Sequence, residues 1–224
     1  MKKEEIFRDT DMIYLEWNNY ASPKLIKFAA KYAGERILDI GCSIGEYSQK
    51  LNSLGFNCVG VDYNQKYIEK ARMKGVEAYV MDAYHLDFED NSFDTVLMFE
   101  ILEHLENPKL ALNEAKRVAK KNILITTPSF SRFQRLASLK LTYYDVLEVD
   151  HVNFFTKKEL TNLCSEISSK YIVREDEPIY IHTLLPWYVA KPISLLYKLR
   201  IIQPPLYRRL YGVIWLEKNT NKEV

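Results

Sequence analysis

Apolar residues along this chain come in short bursts, and most bursts are followed by a stretch with helical spacing. Ile37-Leu38-Asp39-Ile40 is a strand-like run that stops at Gly41. A helical pattern from Glu46 to Leu54 ends at Gly55. Asn57 to Asp62 predicts a second strand, and Asn64 caps a helix from Gln65 to Lys74 that Gly75 ends. Glu77 to Ala83 predicts a third strand, Phe93 to Glu100 a fourth and buried one, and Asn122 to Thr127 a fifth that Pro128 ends. Upstream, Ser22-Pro23 places a cap and then proline at the first helical position. Leu25, Phe28, Ala29 and Tyr32 share one face of that helix, and Gly34 stops it. Asn107-Pro108 repeats the cap-proline start, with Leu112, Ala115 and Ala119 as the buried stripe. Thr156 and Glu159 read as a capping box, with Phe155 against Leu160 as its staple. Strands alternating with helices in this way predict an α/β fold with a parallel sheet and right-handed crossovers.

Two further strands, Tyr171 to Glu175 and Gly212 to Glu217, are expected to close the sheet as an antiparallel pair. The insertion between them, 178–211, is far longer than a hairpin turn needs. Its charged residues are Lys191, Lys198, Arg200, Arg208 and Arg209, with no acid, among many apolar and aromatic residues. That content suits a cap over a substrate, a dimer contact or a segment lying in a membrane interface. No stretch of it is long enough to span a bilayer. A second insertion, 129–149, carries Arg132, Phe133, Arg135, Lys140, Tyr143 and Tyr144. It reads either as a lid able to hold a sugar phosphate or as a solvated helix and loop. Residues 1–35 form an N-terminal helical region, where Tyr14, Trp17 and Tyr20 could make an aromatic flap.

A chain of 224 residues suits one such domain with these additions. The hydrophobic fraction of 47% supports a substantial core. The net charge of +1 implies no broad polyanion-binding face, so nucleic acid is not the expected partner. Cys42, Cys58 and Cys164 are odd in number and form no Cys-x-x-Cys pair. That argues against a disulfide framework and a zinc site, and no metal is expected; a reducing cytoplasm suits such a chain. Met-Lys-Lys-Glu-Glu at the start is not followed by a signal-like apolar run.

The densest chemistry lies in Asp39-Ile40-Gly41-Cys42-Ser43-Ile44-Gly45-Glu46-Tyr47. The spacing is not the G-x-G-x-x-G of dinucleotide enzymes, and Asp39 would repel a pyrophosphate held there. An acid at a strand end suits a cationic ligand, and glycines let backbone approach it. Asp62 ends the next strand, where a carboxylate can accept both ribose hydroxyls. Asp82 ends the third strand, where it can accept from an adenine amino group. Acids at three successive strand ends, on the carboxyl edge of an α/β sheet, form a ligand-binding pattern. Ser43 is expected to keep an ordinary φ.

With Phe93-Asp94 through Glu100-Ile101-Leu102-Glu103-His104-Leu105-Glu106-Asn107-Pro108, these segments resemble the class I S-adenosylmethionine (SAM) methyltransferases. The likeness is to the small-molecule group that includes ubiquinone-pathway and sugar O-methyltransferases, and it covers about 24–127. The resemblance implies a Rossmann-like, mostly parallel seven-stranded sheet in the order 3-2-1-4-5-7-6, helices on both faces and an antiparallel last strand. It implies SAM as cofactor and S-adenosylhomocysteine as product. It assigns Asp39, Gly41 and Gly45 to the methionine end, Asp62 to the ribose, Asp82 and Ala83 to the adenine, and the backbone at Phe99 to the amine, with Cys42 and Tyr63 as further cofactor-binding residues. Ser43 stands where the family commonly has a middle glycine.

Methyl transfer to an alcohol needs the acceptor aligned with the methyl group and its proton removed. His151, in Asp150-His151-Val152-Asn153-Phe154-Phe155, is the candidate base with Asp150 beside it; a packing histidine is the alternative. His104 is the third candidate, with a structural hydrogen-bond role as its other reading. His85 is expected at the surface. The sequence thus predicts a SAM-dependent methyltransferase acting on a small molecule, namely a hydroxyl of a sugar or of a lipid-linked glycan or quinone. It is placed in the cytoplasm or at the inner face of the membrane through 178–211. A catalytically silent, membrane-associated SAM-fold subunit and an NAD-dependent oxidoreductase are the alternatives.

Overall fold

The computed structural model describes residues 21–130, 151–179, 186–202 and 206–216. The proposed flap residues Tyr14, Trp17 and Tyr20, the 131–149 part of the lid, Asp150 and His182 lie outside the described residues. The chain order is α1 (Pro23–Tyr32), β1 (Arg36–Ile40), α2 (Glu46–Ser53), β2 (Asn57–Asp62), α3 (Gln65–Met73), β3 (Glu77–Val80) and β4 (Phe93–Phe99). A short 3-10 turn follows (Leu102–His104), then α4 (Pro108–Val118), β5 (Ala119–Pro128), α5 (Lys157–Ile167), β6 (Lys170–Ile179), α6 (Trp187–Lys198) and β7 (Leu206–Trp215).

The seven strands form one sheet in the order β3-β2-β1-β4-β5-β7-β6. Pairing is parallel from β3 through β5, and β7 runs antiparallel to both β5 and β6. This is the Rossmann-like sheet that the sequence predicts. Alternation along the strands sends their side chains to two cores. Leu38, Ile40, Val96, Met98, Ile123 and Ile125 pack with α4 and α5 on one face. Ile37, Leu97, Leu124 and Val213 pack with α1 on the other.

Local signals explain most helix starts. The Asn64 side chain accepts from the Lys66 N–H, and the Asn107 side chain accepts from Leu110. Thr156 and Glu159 form a reciprocal capping box at the start of α5. Ser22 departs from expectation, because its side chain makes no capping bond and Pro23 alone sets the start of α1. Gly34 is not a left-handed stop either. The helix ends at Tyr32, and a Cβ at Gly34 would lie 2.5 Å from Asp94 Cβ, so close packing is what demands glycine there. Ala119 belongs to β5, not to the helix stripe.

Four strands differ clearly in length from the sequence reading. The third stops at Val80, on the exposed edge of the sheet. The fifth begins at Ala119 and runs through Pro128, because Pro128 still pairs with Arg209. The last pair is the largest difference. β6 reaches Ile179 and β7 begins at Leu206, in register from Lys170↔Trp215 to Ile179↔Leu206. Residues 178–179 and 206–211 therefore belong to the sheet, and the insertion proper is 180–205. β6 runs parallel to β5, so this insertion leaves from the rim that carries the carboxyl ends of β1, β2 and β4.

Candidate active site

The turn from β1 to α2 is built from left-handed residues: Gly41 has φ 74°, Ser43 φ 48° and Gly45 φ 76°. The ordinary φ expected of Ser43 is thus incorrect. Its N–H donates to Asp62 Oδ2 at 2.9 Å, and that bond holds the residue in a region L side chains rarely enter. The N–H groups of Gly41 and Cys42 both donate to the Val61 carbonyl, at 2.8 and 3.0 Å, which ties the turn to the end of β2. At Gly41 glycine is needed twice over, because a Cβ would lie 2.5 Å from Ile101 Cδ1.

Asp62 ends β2 and is 8% exposed. Its Oδ1 accepts from the Asn64 N–H at 2.9 Å, so each carboxylate oxygen has one backbone donor. Burial raises its pKa, and the bonds from Asn64 and Ser43 work against that rise. A carboxylate has about four lone-pair positions, so the two left over remain for a ligand. Tyr63, next along the chain, is 80% exposed. The Met81 N–H donates to the Asp62 carbonyl and brings the following turn alongside. In that turn Asp82 is exposed, two residues past β3, with Oδ1 accepting from the Tyr84 N–H; Ala83 is half-buried. At the end of β4, Phe99 is buried and its ring meets Tyr47 edge-on at 5.6 Å.

Asp39 sits differently from the other acids. It shares a strand face with Ile37, so it points under α2 and is 2% exposed. Ser48 Oγ donates to its Oδ2 at 2.7 Å. Desolvation, against the Ser48 bond and with the nearby Asp62 charge, raises its pKa to about 7. Through Ser48 it braces the start of α2 against the end of β1. Cys42 is buried beside it, and burial raises its thiol well above the ordinary range.

A second cluster follows β4. The Val152 and Asn153 N–H groups both donate to the Glu103 carbonyl at 2.9 Å. Asn153 Nδ2 also donates to the carbonyls of Leu102 and Leu105. These bonds pin 151–153 to the 3-10 turn, and the rings of His104 and His151 meet edge to face with centroids 4.8 Å apart. Glu103 is 1% exposed; burial, then the charge of Glu100, pushes its carboxyl well above the usual range. The sequence suggests no metal, yet Glu103, His104 and His151 each offer a ligand atom, all within 4.8 Å of one another. One carboxylate and two imidazoles suit a divalent first-row ion. His85 is exposed, as expected, with Nε2 3.8 Å from Asp87.

Sequence reasoning missed a third group. Arg209 donates from Nε to Glu100 Oε1 at 3.0 Å and from a terminal nitrogen to Glu177. The Tyr211 hydroxyl donates to the same Glu177 oxygen at 2.8 Å. Glu100 and Glu177 both have left-handed backbone, with φ 51° and 59°. Burial alone would raise the carboxyl of Glu177, but Tyr211 and Arg209 hold it below the usual range. Glu100 follows β4 directly, so this cluster borders the same rim.

Comparison with known proteins fits this geometry. Residues 38–125 match a family described as a methyltransferase domain. A crystal structure of a SAM-dependent methyltransferase from Archaeoglobus fulgidus superposes with a TM-score of 0.65 at 20% identity, covering 86% of this chain and 91% of that one. Residues 38–125 thus carry a methyltransferase-type domain, and the chain has the fold of a SAM-dependent methyltransferase. The chain is 34% identical over 98 residues to the ubiquinone biosynthesis O-methyltransferase of Hahella chejuensis, covering 41% of each protein. It is 30% identical over 116 residues to the human protein named "Probable tRNA methyltransferase 9B", covering 51% of this chain and 25% of that one. The matches thus span less than half the length of either relative.

SAM suits the residues at the rim. The left-handed turn leaves backbone open where a Cβ would intrude, and Asp62 is anchored with lone pairs to spare. Among the described residues, no helix is long and apolar enough to cross a membrane.

Proposed function

We propose that the protein transfers a methyl group to a hydroxyl of a small-molecule acceptor, either a sugar or a lipid-linked glycan or quinone. The observation that carries this reading is the pair formed by the Gly41–Gly45 turn and Asp62, locked together by the Ser43 N–H. SAM, when bound, supplies a methyl group on a positively charged sulfur. Asp62 accepts the ribose hydroxyls, Tyr63 offers a ring face beside them, and Asp82 with Ala83 receives the adenine edge. Backbone at Gly41, Cys42, Gly45 and Phe99 lines the methionine end, with Asp39 bracing the start of α2 through Ser48. His151 takes the acceptor proton. Its Nδ1 is buried, so Nε2 is the atom assigned to that step. Asp150, next in sequence, is assigned to orienting the imidazole, and His104 to holding the ring edge-on. The charge of +1 supports a small acceptor over a polynucleotide. The three cysteines are free and buried, which supports a cytoplasmic location.

Calorimetry with SAM and with NAD, followed by transfer of labelled methyl to a panel of sugar and quinone hydroxyls, tests the reading. SAM binding with product formation is expected. Binding of NAD but not SAM would replace it with the oxidoreductase, and SAM binding with no product from any acceptor class would favour the silent subunit.

A second reading of the acceptor half rests on the proximity of Glu103, His104 and His151. A divalent ion held there would bind the acceptor oxygen and lower its pKa, replacing His151 as the means of removing the proton. Manganese binding followed by electron paramagnetic resonance separates the two. A bound-ion signal lost in Glu103→Gln supports the ion, and its absence leaves His151 as the base.

A further inference from the structure

The insertion carries a helix that faces the wrong way for a soluble protein. α6 has no buried residue, although most of its side chains are apolar. Its half-buried positions are Ala190, Ile193, Ser194, Leu196 and Tyr197, and all but Leu196 lie on one side. Tyr188, Pro192, Leu195 and Leu199 recur at helical spacing on the opposite side, and all are exposed. Tyr188 is 63% exposed, Leu195 55% and Leu199 59%. Trp187 at the start of the helix is 76% exposed and Ile201 past its end 65%. An ordinary surface helix shows the reverse arrangement, with its apolar stripe inward.

The charges around this stripe narrow what can cover it. Lys191, Lys198 and Arg200 are exposed, and no acid occurs anywhere in 186–202. A protein partner of mixed charge would find no anion here to pair with its own cations. Aliphatic residues flanked by tryptophan, tyrosine and three cations match the boundary layer of an anionic bilayer. There the apolar stripe enters the acyl edge, the aromatic rings sit among the headgroups and the lysine stems reach up to phosphate.

We propose that residues 187–201 dock the protein flat on an anionic lipid surface. Because β6 leaves the sheet at the rim carrying Asp62 and the Gly41 turn, docking turns that rim toward the bilayer. The surface itself is argued from exposure and charge, independently of the methyl-transfer reading.

Co-sedimentation of the full chain with vesicles tests this. One set contains phosphatidylglycerol in phosphatidylcholine, and the other phosphatidylcholine alone. The protein is expected to pellet with the anionic set, to be released by high salt and to remain largely in the supernatant with the neutral set. Lys191→Gln, Lys198→Gln and Arg200→Gln together should lower partitioning roughly a hundredfold. Leu195→Ser with Leu199→Ser should also abolish pelleting. Both variants should keep the wild-type circular dichroism spectrum, because every changed residue is exposed. A blue shift of emission on adding anionic vesicles, lost in Trp187→Phe, would place the helix in the interface. Wild-type protein that stays in the supernatant with anionic vesicles overturns the proposal. A dimer in sedimentation velocity that Leu195→Ser with Leu199→Ser converts to monomer, with no vesicle binding, overturns it in favour of a second copy of the chain.

Discussion

The backbone N–H of Ser43 points at the carboxylate of Asp62, 2.9 Å from Oδ2. One acid thereby fixes the shape of the turn and keeps part of itself for a ligand. Asp62→Ala removes both functions. SAM affinity measured by calorimetry should fall by more than a hundredfold, while the thermal unfolding profile shifts little. Amide exchange at Ser43 and Asn64 should quicken at the same time. Unchanged affinity would move the cofactor away from the end of β2.

Gly41→Ala tests the other side of the turn. A left-handed φ costs an L residue about 1–2 kcal/mol, and the new methyl would also press on Ile101. Denaturant titration should therefore show a loss larger than the backbone cost alone. Adding Ile101→Ala should recover the contact part and leave the backbone part. Full recovery would mean that the turn relaxes freely.

Asp39 gives a pH dependence with a defined sign. Its folded pKa is about 7, against 3.8 for the ordinary group. Between those values the native state holds a proton that the unfolded chain has released. The stability this group contributes is thus complete below about pH 4 and is lost as pH rises to about 7. Asp39→Asn can keep the bond from Ser48 and does not titrate. The melting temperature of the variant relative to wild type should climb from pH 5 to pH 8, then level off. A difference that is flat across that range would mean the carboxyl is ionised throughout.

Arg209 is held between two carboxylates with its side chain only 13% exposed. Arg209→Met leaves the buried Glu177 with only the longer, 3.9 Å contact from Lys24, and chemical denaturation should register a loss of about 3 kcal/mol. Converting Glu100 and Glu177 to glutamine in that background should restore much of the loss. If the triple variant is no more stable than the single one, repulsion between stranded acids is not the cause.

The sequence made the cofactor half legible because each of its parts is local. Apolar runs give β1, β2 and β4, and Asn64, Asn107 and Thr156 announce their helices. The outer strands were cut short for a physical reason. Lys120 and Lys121 open β5, Glu175 to Glu177 end β6, and Arg208 and Arg209 open β7. Charged runs resemble loops until register sets Asp176 opposite Arg209. Asp39 stands at a strand end as the acid pattern predicts, while alternation with Leu38 and Ile40 turns its side chain toward Ser48 of α2. Ser43 carried no sign of its left-handed backbone, because that conformation depends on a carboxylate from another strand. The meeting of Glu103 and His151 was hidden as well, since it relies on backbone bonds between segments far apart in the chain.

The junction of β6 and β7 accepts added sequence without disturbing the seven strands. The Gly41–Gly45 turn and this junction lie at the same edge of the sheet, so lengthening, trimming or exchanging the tract from 180 to 205 leaves that turn and its bond to Asp62 in place. Grafting that tract between relatives tests whether acceptor choice travels with it.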